Sequence, residues 1–422
     1  MTVASVDGTT ADVKKFARKT TKSPRSPGRP ERHERRLAAA RARRQARKRA
    51  RCPRGAGCVL GRFLKPLKQA VRDAIDGNQE RRWFPTLSML TMIFCGLLYH
   101  LFGLSSMRAA VEKANYLRGL GIVRICRSTF SDAMNSALRL RVLREVFQSL
   151  VRRFAEELPR QLSKFRHLAA IDSTILACAP SQLWAEYREE LKACKAHLTF
   201  DVSSGIPSAL VLSAARVHDR NYFERFLKKG WTYLLDRAYN VYSVFDDMIE
   251  LGIFFVTRLK VGASYQVVGR RRVKRKHRKL GVIADEIIRL GAGAAEMTNN
   301  LRLVTFRTEQ DEVLQFLTNR FDLAPTSVAA LYRGRWAIEL FFRFFKRTLR
   351  GARLLARSEV GAEIHVLLSL ITDVLLKCLA KSLNGWRKLR QHVPATFMRL
   401  VRESLFDRWT KRIQTRLAAV LL

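Results

Sequence analysis

The chain has 422 residues, 47% of them apolar and 24 of them Phe, enough to bury a sizeable core and to fold as two or three domains. It carries 79 Lys and Arg against 36 Asp and Glu, a formal charge of +43. Self-repulsion on that scale disfavours a compact molecule without a polyanion beside it, and nucleic acid is the usual one. A neutral enzyme with a basic leader is excluded by the distribution: residues 1–54 hold 18 basic and 4 acidic residues, and a net +29 remains on the rest.

Residues 1–54 are rich in Arg, Lys, Ala, Ser and Pro with almost no large apolar residue, which reads as a disordered basic tail. The seven Cys, at 52, 58, 95, 126, 178, 194 and 378, form no CxxC pair, so the expectation is reduced thiols in a cytoplasmic protein with no zinc site. From 55 to 160 the pattern is helical, with candidate helices Gly61–Ile75, Pro85–Phe102, Ser105–Leu117, Thr129–Leu138 and Leu140–Leu158. Trp83–Met107 holds no charged residue and is long enough for a bilayer. Its Pro85, Gly96, His100 and Gly103 favour a buried core helix and no membrane association. Ser128 is the expected N-cap of Thr129–Leu138. That helix either belongs to an ordinary helical subdomain or is the second half of a helix-turn-helix presenting Ser131, Asn135 and Arg139 to a groove.

From 165 the periodicity changes to short apolar or alternating runs, His167–Leu176, Ala196–Ser203, Ala209–Val217 and Trp231–Leu235, read as strands. A helix over Tyr239–Leu251 and a strand over Ile253–Leu259 follow, so a mixed α/β sheet is expected. Residues 262–320 carry more strand-like pieces (Leu301–Thr308 and Glu312–Thr318) around the basic run Arg270–Lys279, read as a DNA-contacting hairpin or loop. A long helix is expected from Pro325 to Leu349 and another over Glu363–Leu383, and 384–422 is assigned as a C-terminal helical segment.

Asp172 follows the apolar run Leu168–Ile171, and Asp236 follows Tyr233–Leu235. A carboxylate at the end of a buried strand is costly to ionise unless a cation or donors compensate it. On one continuous helix, Tyr332, Arg335, Glu339 and Lys346 fall within a stripe about 60° wide, at roughly 100° per residue. Phe341, Phe344, Phe345 and Ile338 occupy the opposite, core-facing arc. One flank is thus apolar, and the other offers a carboxylate bracketed by cations and a phenol.

The spacing Tyr332-x2-Arg335-x3-Glu339-x6-Lys346 is identical to the YREK signature of the bacterial insertion-sequence DDE transposases. Ile171-Asp172-Ser173-Thr174 resembles the first-Asp motif of that family. Asp236-Arg237-Ala238-Tyr239 resembles its second, with Ala238 where Gly is common. His218 and Asp219 fall where relatives carry similar residues, and are read here as structural.

The resemblance covers roughly residues 60–380. It implies a ribonuclease-H-like mixed sheet flanked by helices, with a β-rich insertion at about 262–320 inside a catalytic domain over 161–383, and an all-helical DNA-binding domain over 55–160. It further implies that Asp172, Asp236 and Glu339 are catalytic metal ligands for two Mg2+ ions (Mn2+ substituting). Tyr332, Arg335 and Lys346 would hold DNA phosphates, and Trp336 or an aromatic of the insertion would stack on an unpaired base. The implied activity is cleavage at transposon ends and strand transfer into target DNA by a homodimer on double-stranded DNA, in the cytoplasm and associated with the nucleoid. Two other readings stay open: a structure-specific DNA nuclease with the same core, and a catalytically inactive DNA-binding relic.

Overall fold

The computed structural model describes residues 58–117, 124–156, 167–187, 191–293, 296–383, 395–405, 407 and 410–420. The expected tail 1–54 and the domain edges near 160 and 384 lie outside them.

Six helices open the described chain: α1 Val59–Ala74, α2 Gly77–Trp83, α3 Met89–Phe102, α4 Met107–Tyr116, α5 Arg127–Met134 and α6 Ala137–Glu156. Helix α3 is the apolar segment singled out in the sequence, and every residue from Met89 to Leu101 except Leu90 is buried. Ser88 starts it by accepting from the Thr91 N–H, and Gly103 ends it in the left-handed region at φ 58. No single described helix is long and apolar enough to cross a membrane; α3 and α4 meet such a criterion only as a pair bent by 107°.

The expected Ser128 cap is not found. Helix α5 begins two residues earlier than expected, at Arg127, and its N-cap, Cys126, makes no side-chain bond. Arg139 does not face a groove either. It is buried, donates to the Leu87 carbonyl at 2.6 Å and lies 4.1 Å over the Phe84 ring. Five cysteines, Cys95, Cys126, Cys178, Cys194 and Cys378, are free, but Cys58 is disulfide-bonded, so the all-reduced expectation fails there.

The chain then builds one sheet: β1 Leu168–Ala177, β2 Ala193–Asp201, β3 Ile206–Ala214, β4 Thr232–Leu234, β5 Phe254–Arg258, β6 Tyr265–Arg270, β7 Val282–Leu290, β8 Leu301–Arg307 and β9 Val313–Thr318. The order is β3-β2-β1-β4-β5-β9-β8-β7-β6. Strands β1, β2 and β3 form an antiparallel meander, and β4 and β5 add to β1 in parallel. This half has the ribonuclease-H-like arrangement. Helix α7, Tyr242–Glu250, joins β4 to β5.

The β-rich insertion does not form a separate sheet. Strand β9 returns beside β5 and pairs with it antiparallel, so β9 to β6 extend the same sheet. Inside this extension Arg302 is fully buried, with Asp285 as bidentate partner at 2.8 Å and the carbonyls of Arg320 and Leu323 as further acceptors.

The expected long helix is two: α8 Pro325–Arg333 and α9 Trp336–Arg347. Gly334 and Arg335 keep helical dihedrals, yet the backbone bonds there run three residues back, Gly334 N–H to Leu331 and Arg335 N–H to Tyr332. The tightening goes with close packing. A Cβ on Gly334 would lie 3.1 Å from side-chain atoms of Leu234 and Val202.

Helix α10, Glu359–Lys381, follows and is buried along most of its length. Against it, a Cβ added to Gly96 of α3 would stand 2.5 Å from Leu368. Helices α11, Ala395–Ser404, and α12, Lys411–Ala419, close the chain.

Alternation along the strands sorts the sheet into two cores. Leu168, Ala170, Leu198, Phe200 and Leu234 face the helical core of α1, α3, α6, α9 and α10. Ala169, Ile171, Tyr233, Leu235 and Phe255 face the smaller core with α7.

Candidate active site

Side chains two apart on a strand share a face. Asp172 therefore shares the face of Leu168 and Ala170, and Asp236 shares that of Leu234. This is the face α9 covers, with the Phe341 ring 5.3 Å from Phe200. Because Ala170 pairs with Leu234 in parallel register, the same register carried two residues on sets Asp172 against Asp236. Strand β1 is buried through Ile171 and opens at Asp172 and Ser173. The first carboxylate thus stands where the strand emerges from between its two layers.

Local donors fix both aspartates. Asp172 accepts from the Ser173 N–H at 2.8 Å, and Asp236 caps the single turn Arg237–Tyr239 by accepting from the Ala238 N–H at 3.1 Å. Glu339 lies in the first turn of α9. Arg335 joins it to the strand pair: one guanidinium nitrogen pairs with Glu339, and another lies 3.6 Å from Asp236. The Arg335 Nε is buried without a partner. Its guanidinium also lies 5.8 Å over the Tyr332 ring, which packs on Phe316.

Burial pushes the Asp172 carboxyl up to about 6; the Ser173 N–H and Arg335 hold it down in part, and Asp236 and Glu339 push it further up. Three carboxylates thus share one arginine, an imbalance a cation corrects. Among the described residues, no three His, Cys, Asp or Glu stand close enough to form a ready metal cluster; Arg335 lies between two of the three. The donor chemistry nevertheless fits a hard divalent ion, since every group is a carboxylate oxygen.

A second layer lies beside Asp172, built around the Asp219 read from the sequence as structural, and what the sequence did not show is how its members meet. Asp219 accepts from the Ser173 hydroxyl at 3.0 Å, pairs with Lys195 at 3.1 Å and lies 3.6 Å from His197. His197 stacks on Tyr222 and shares a hydrogen bond with Ser213, and burial pushes its imidazole down to about 4. Tyr239 is buried with its hydroxyl held well above the usual range, first by burial and then by Asp219, Asp172 and Asp236. The signal was the β1–β2 register, which pairs Ser173 with His197 and Ile175 with Lys195; a single sequence does not display register.

Of the remaining expected residues, Lys346 is exposed near the end of α9 and forms no ion pair among the described residues. Trp336 is 50% exposed at the start of α9, so it is not a core residue. The run Arg270–Lys279 links β6 to β7 and contains the single turn Arg275–Arg278.

A ribonuclease-H-like sheet with acidic groups gathered at one strand edge and under one helix defines a class of nucleic-acid phosphotransferase folds. The Transposase DDE domain matches residues 163–374, half of the chain. The chain belongs to the DDE transposase family.

It is 30% identical over 217 residues to a transposase of Sinorhizobium fredii, a match spanning 51% of this chain and 61% of that protein. An insertion-sequence transposase of Geobacillus stearothermophilus is 24% identical over 62% of this chain and 68% of its own length. A third, from Synechocystis, is 25% identical over 65% and 77%. The piggyBac transposase in its synaptic complex with hairpin DNA superimposes with a TM-score of 0.39 at 10% identity, over 86% of this chain and 85% of that one.

Proposed function

We propose that this chain cuts DNA at the ends of a mobile element and joins the freed 3′-hydroxyl to target DNA, acting as a homodimer on double-stranded DNA at the nucleoid. Asp172, Asp236 and Glu339 are the catalytic carboxylates, and two Mg2+ ions (Mn2+ substituting) are the metals they hold. The observation that carries the reading is the convergence of β1, β4 and α9 on Arg335, with three acidic groups around one cation.

Bound there, paired divalent ions supply an activated attacking oxygen and neutralise the leaving one. The carboxylates orient that charge, and the Ser173 and Ala238 N–H groups hold two of them in place. With metal held by the carboxylates, Arg335 would be available to grip a phosphate of the element end, and Tyr332 and Lys346 would hold further phosphates. Trp336, half-exposed on the same helix, suits stacking on an unpaired base. The helical domain over 55–160 and the basic run Arg270–Lys279 hold the duplex.

The test is cleavage of labelled DNA carrying the element's own terminal repeats, with Mg2+, by wild type and by Glu339→Gln. Wild type is expected to nick at the repeat boundary, and the variant to bind DNA without cutting. A variant that cuts as well as wild type overturns the centre. A wild type that binds but never cuts leaves a DNA-binding relic, and cutting without strand-transfer products leaves a nuclease.

A further inference from the structure

Between the N-terminal helices and the segment after α9 lies a cleft of about 1200 Å3. Its walls come from the start of α4, helix α5, the end of β1 and residues 352–358. Arg108, Arg127, Arg353 and Arg357 line it together with Ser131 and Asn135, and no acidic residue is among the described residues that do.

All four arginines are exposed, and none of their side chains has an ion pair or hydrogen bond among the described residues. Other arginines of the protein do have acidic partners, as in Arg144–Glu363, Arg153–Asp73, Arg320–Asp322 and Arg302–Asp285. Four guanidinium groups around one opening repel one another, an arrangement that gains stability only when an anion enters. The walls are nevertheless fixed: Trp184 donates to the Arg357 carbonyl at 2.9 Å, the Asn135 amide oxygen accepts from Ser358 at 2.5 Å, and the Tyr99 hydroxyl donates to the Arg353 carbonyl at 3.2 Å.

Two elements lead from the carboxylates to this cleft. Strand β1 runs five residues from Asp172 to Ala177, about 17 Å, and α9 runs eight from Glu339 to Arg347, about 12 Å. Ala177 at the end of β1 lines the cleft, and just beyond it Gln182 donates to the Ala356 carbonyl, in the segment after α9, at 3.4 Å. The cleft thus begins some four or five base steps from the acidic centre, at about 3.4 Å per step. Its volume exceeds the roughly 300–1,000 Å3 of small-molecule pockets, and its arginines come from three separate segments, α4, α5 and residues 352–358. Repeated phosphates fit that spread better than a single anion does.

We propose that this cleft is a second DNA-backbone site, holding duplex phosphates four or five steps from the bond that is cut. It rests on the function proposed above for the orientation of the duplex, and it assigns Ser131 and Asn135 to backbone contact rather than base reading.

The experiment measures the affinity of the full chain for a short random-sequence duplex, without divalent metal, as salt is raised. Arg127→Glu/Arg357→Glu is compared with Arg399→Glu/Arg412→Glu, which reverses two exposed arginines of α11 and α12 and removes the same net charge. The cleft pair is expected to weaken binding by about tenfold or more and to lower the salt slope by about 2, close to one per lost phosphate contact. The distal pair is expected to leave the slope near wild type.

Equal slopes for the two pairs, or a cleft pair indistinguishable from wild type, overturn the proposal. Thermal unfolding confirms folding of each variant, and Arg127→Gln/Arg357→Gln serves if charge reversal disturbs it. The probe carries no element end and no metal, so failure of cleavage and failure of cleft binding are read separately.

Discussion

Two regions of this protein handle buried acids in opposite ways. In the scaffold, two of them have a cation each: Asp285 has Arg302, and Asp373, on α10, has Lys377 at 2.7 Å. Lys377 also donates to the Gly205 carbonyl and lies 5.5 Å and 5.6 Å over the rings of Phe200 and Phe341, directly behind the helix that carries Glu339. At the candidate site, Asp172, Asp236 and Glu339 share Arg335. Matched pairs specify a structure, whereas an unmatched cluster stores electrostatic free energy that a ligand of opposite charge can release.

The contrast breaks most visibly in the scaffold. Arg302→Ala leaves Asp285 buried without its partner and is expected to lower stability by about 3–5 kcal/mol, read from urea unfolding; a loss below about 1 kcal/mol would place this pair with the surface pairs. Lys377→Ala is expected to act similarly through Asp373.

The buried histidines extend the scaffold side. His100 is fully buried against His365, with rings 4.9 Å apart, and burial pushes it down to about 4. The unfolded chain therefore binds a proton that the native state refuses between about pH 6.5 and 4, so stability falls as pH falls through that window. The expected slope is about 1.4 kcal/mol per pH unit for this residue, some 3 kcal/mol in all. His100→Leu should flatten the curve by that slope, and an unchanged curve would show that acid loss arises elsewhere.

The site should respond with the opposite sign. Asp172 is raised to about 6 by burial, so its ionised form burdens the native state above that pH and not below its unfolded value. Asp172→Asn is accordingly expected to stabilise the metal-free protein by about 1–2 kcal/mol at pH 7 after discounting for partial exposure. The gain should vanish as pH falls below about 4. A destabilised variant would mean that Asp172 is a paired scaffold acid after all.

Much of this contrast was legible in the chain. The apolar runs before Asp172 and Asp236 announced carboxylates at strand ends, and the arc of Phe341, Phe344 and Phe345 announced the buried side of α9. What stayed hidden depends on partners distant in sequence. Arg302 and Asp285 become one pair through the β7–β8 register, and the extension joins the main sheet through β5 and β9. Arg139 reads as a surface charge until Phe84 and the Leu87 carbonyl are brought to it. The break at Gly334 and Arg335 was invisible because the dihedrals stay helical; only the hydrogen-bond step shortens.

The return of β9 beside β5 has an evolutionary consequence. Asp236 and Glu339 are separated by 103 positions, yet the added strands leave the sheet at β5 and come back next to it, ahead of α8. Hairpin arms beyond that junction can therefore lengthen, shrink or change composition while the anchor of α8 and α9 stays where it is. Such a layout lets one acidic centre be inherited unchanged while the outer strands and their connections diversify.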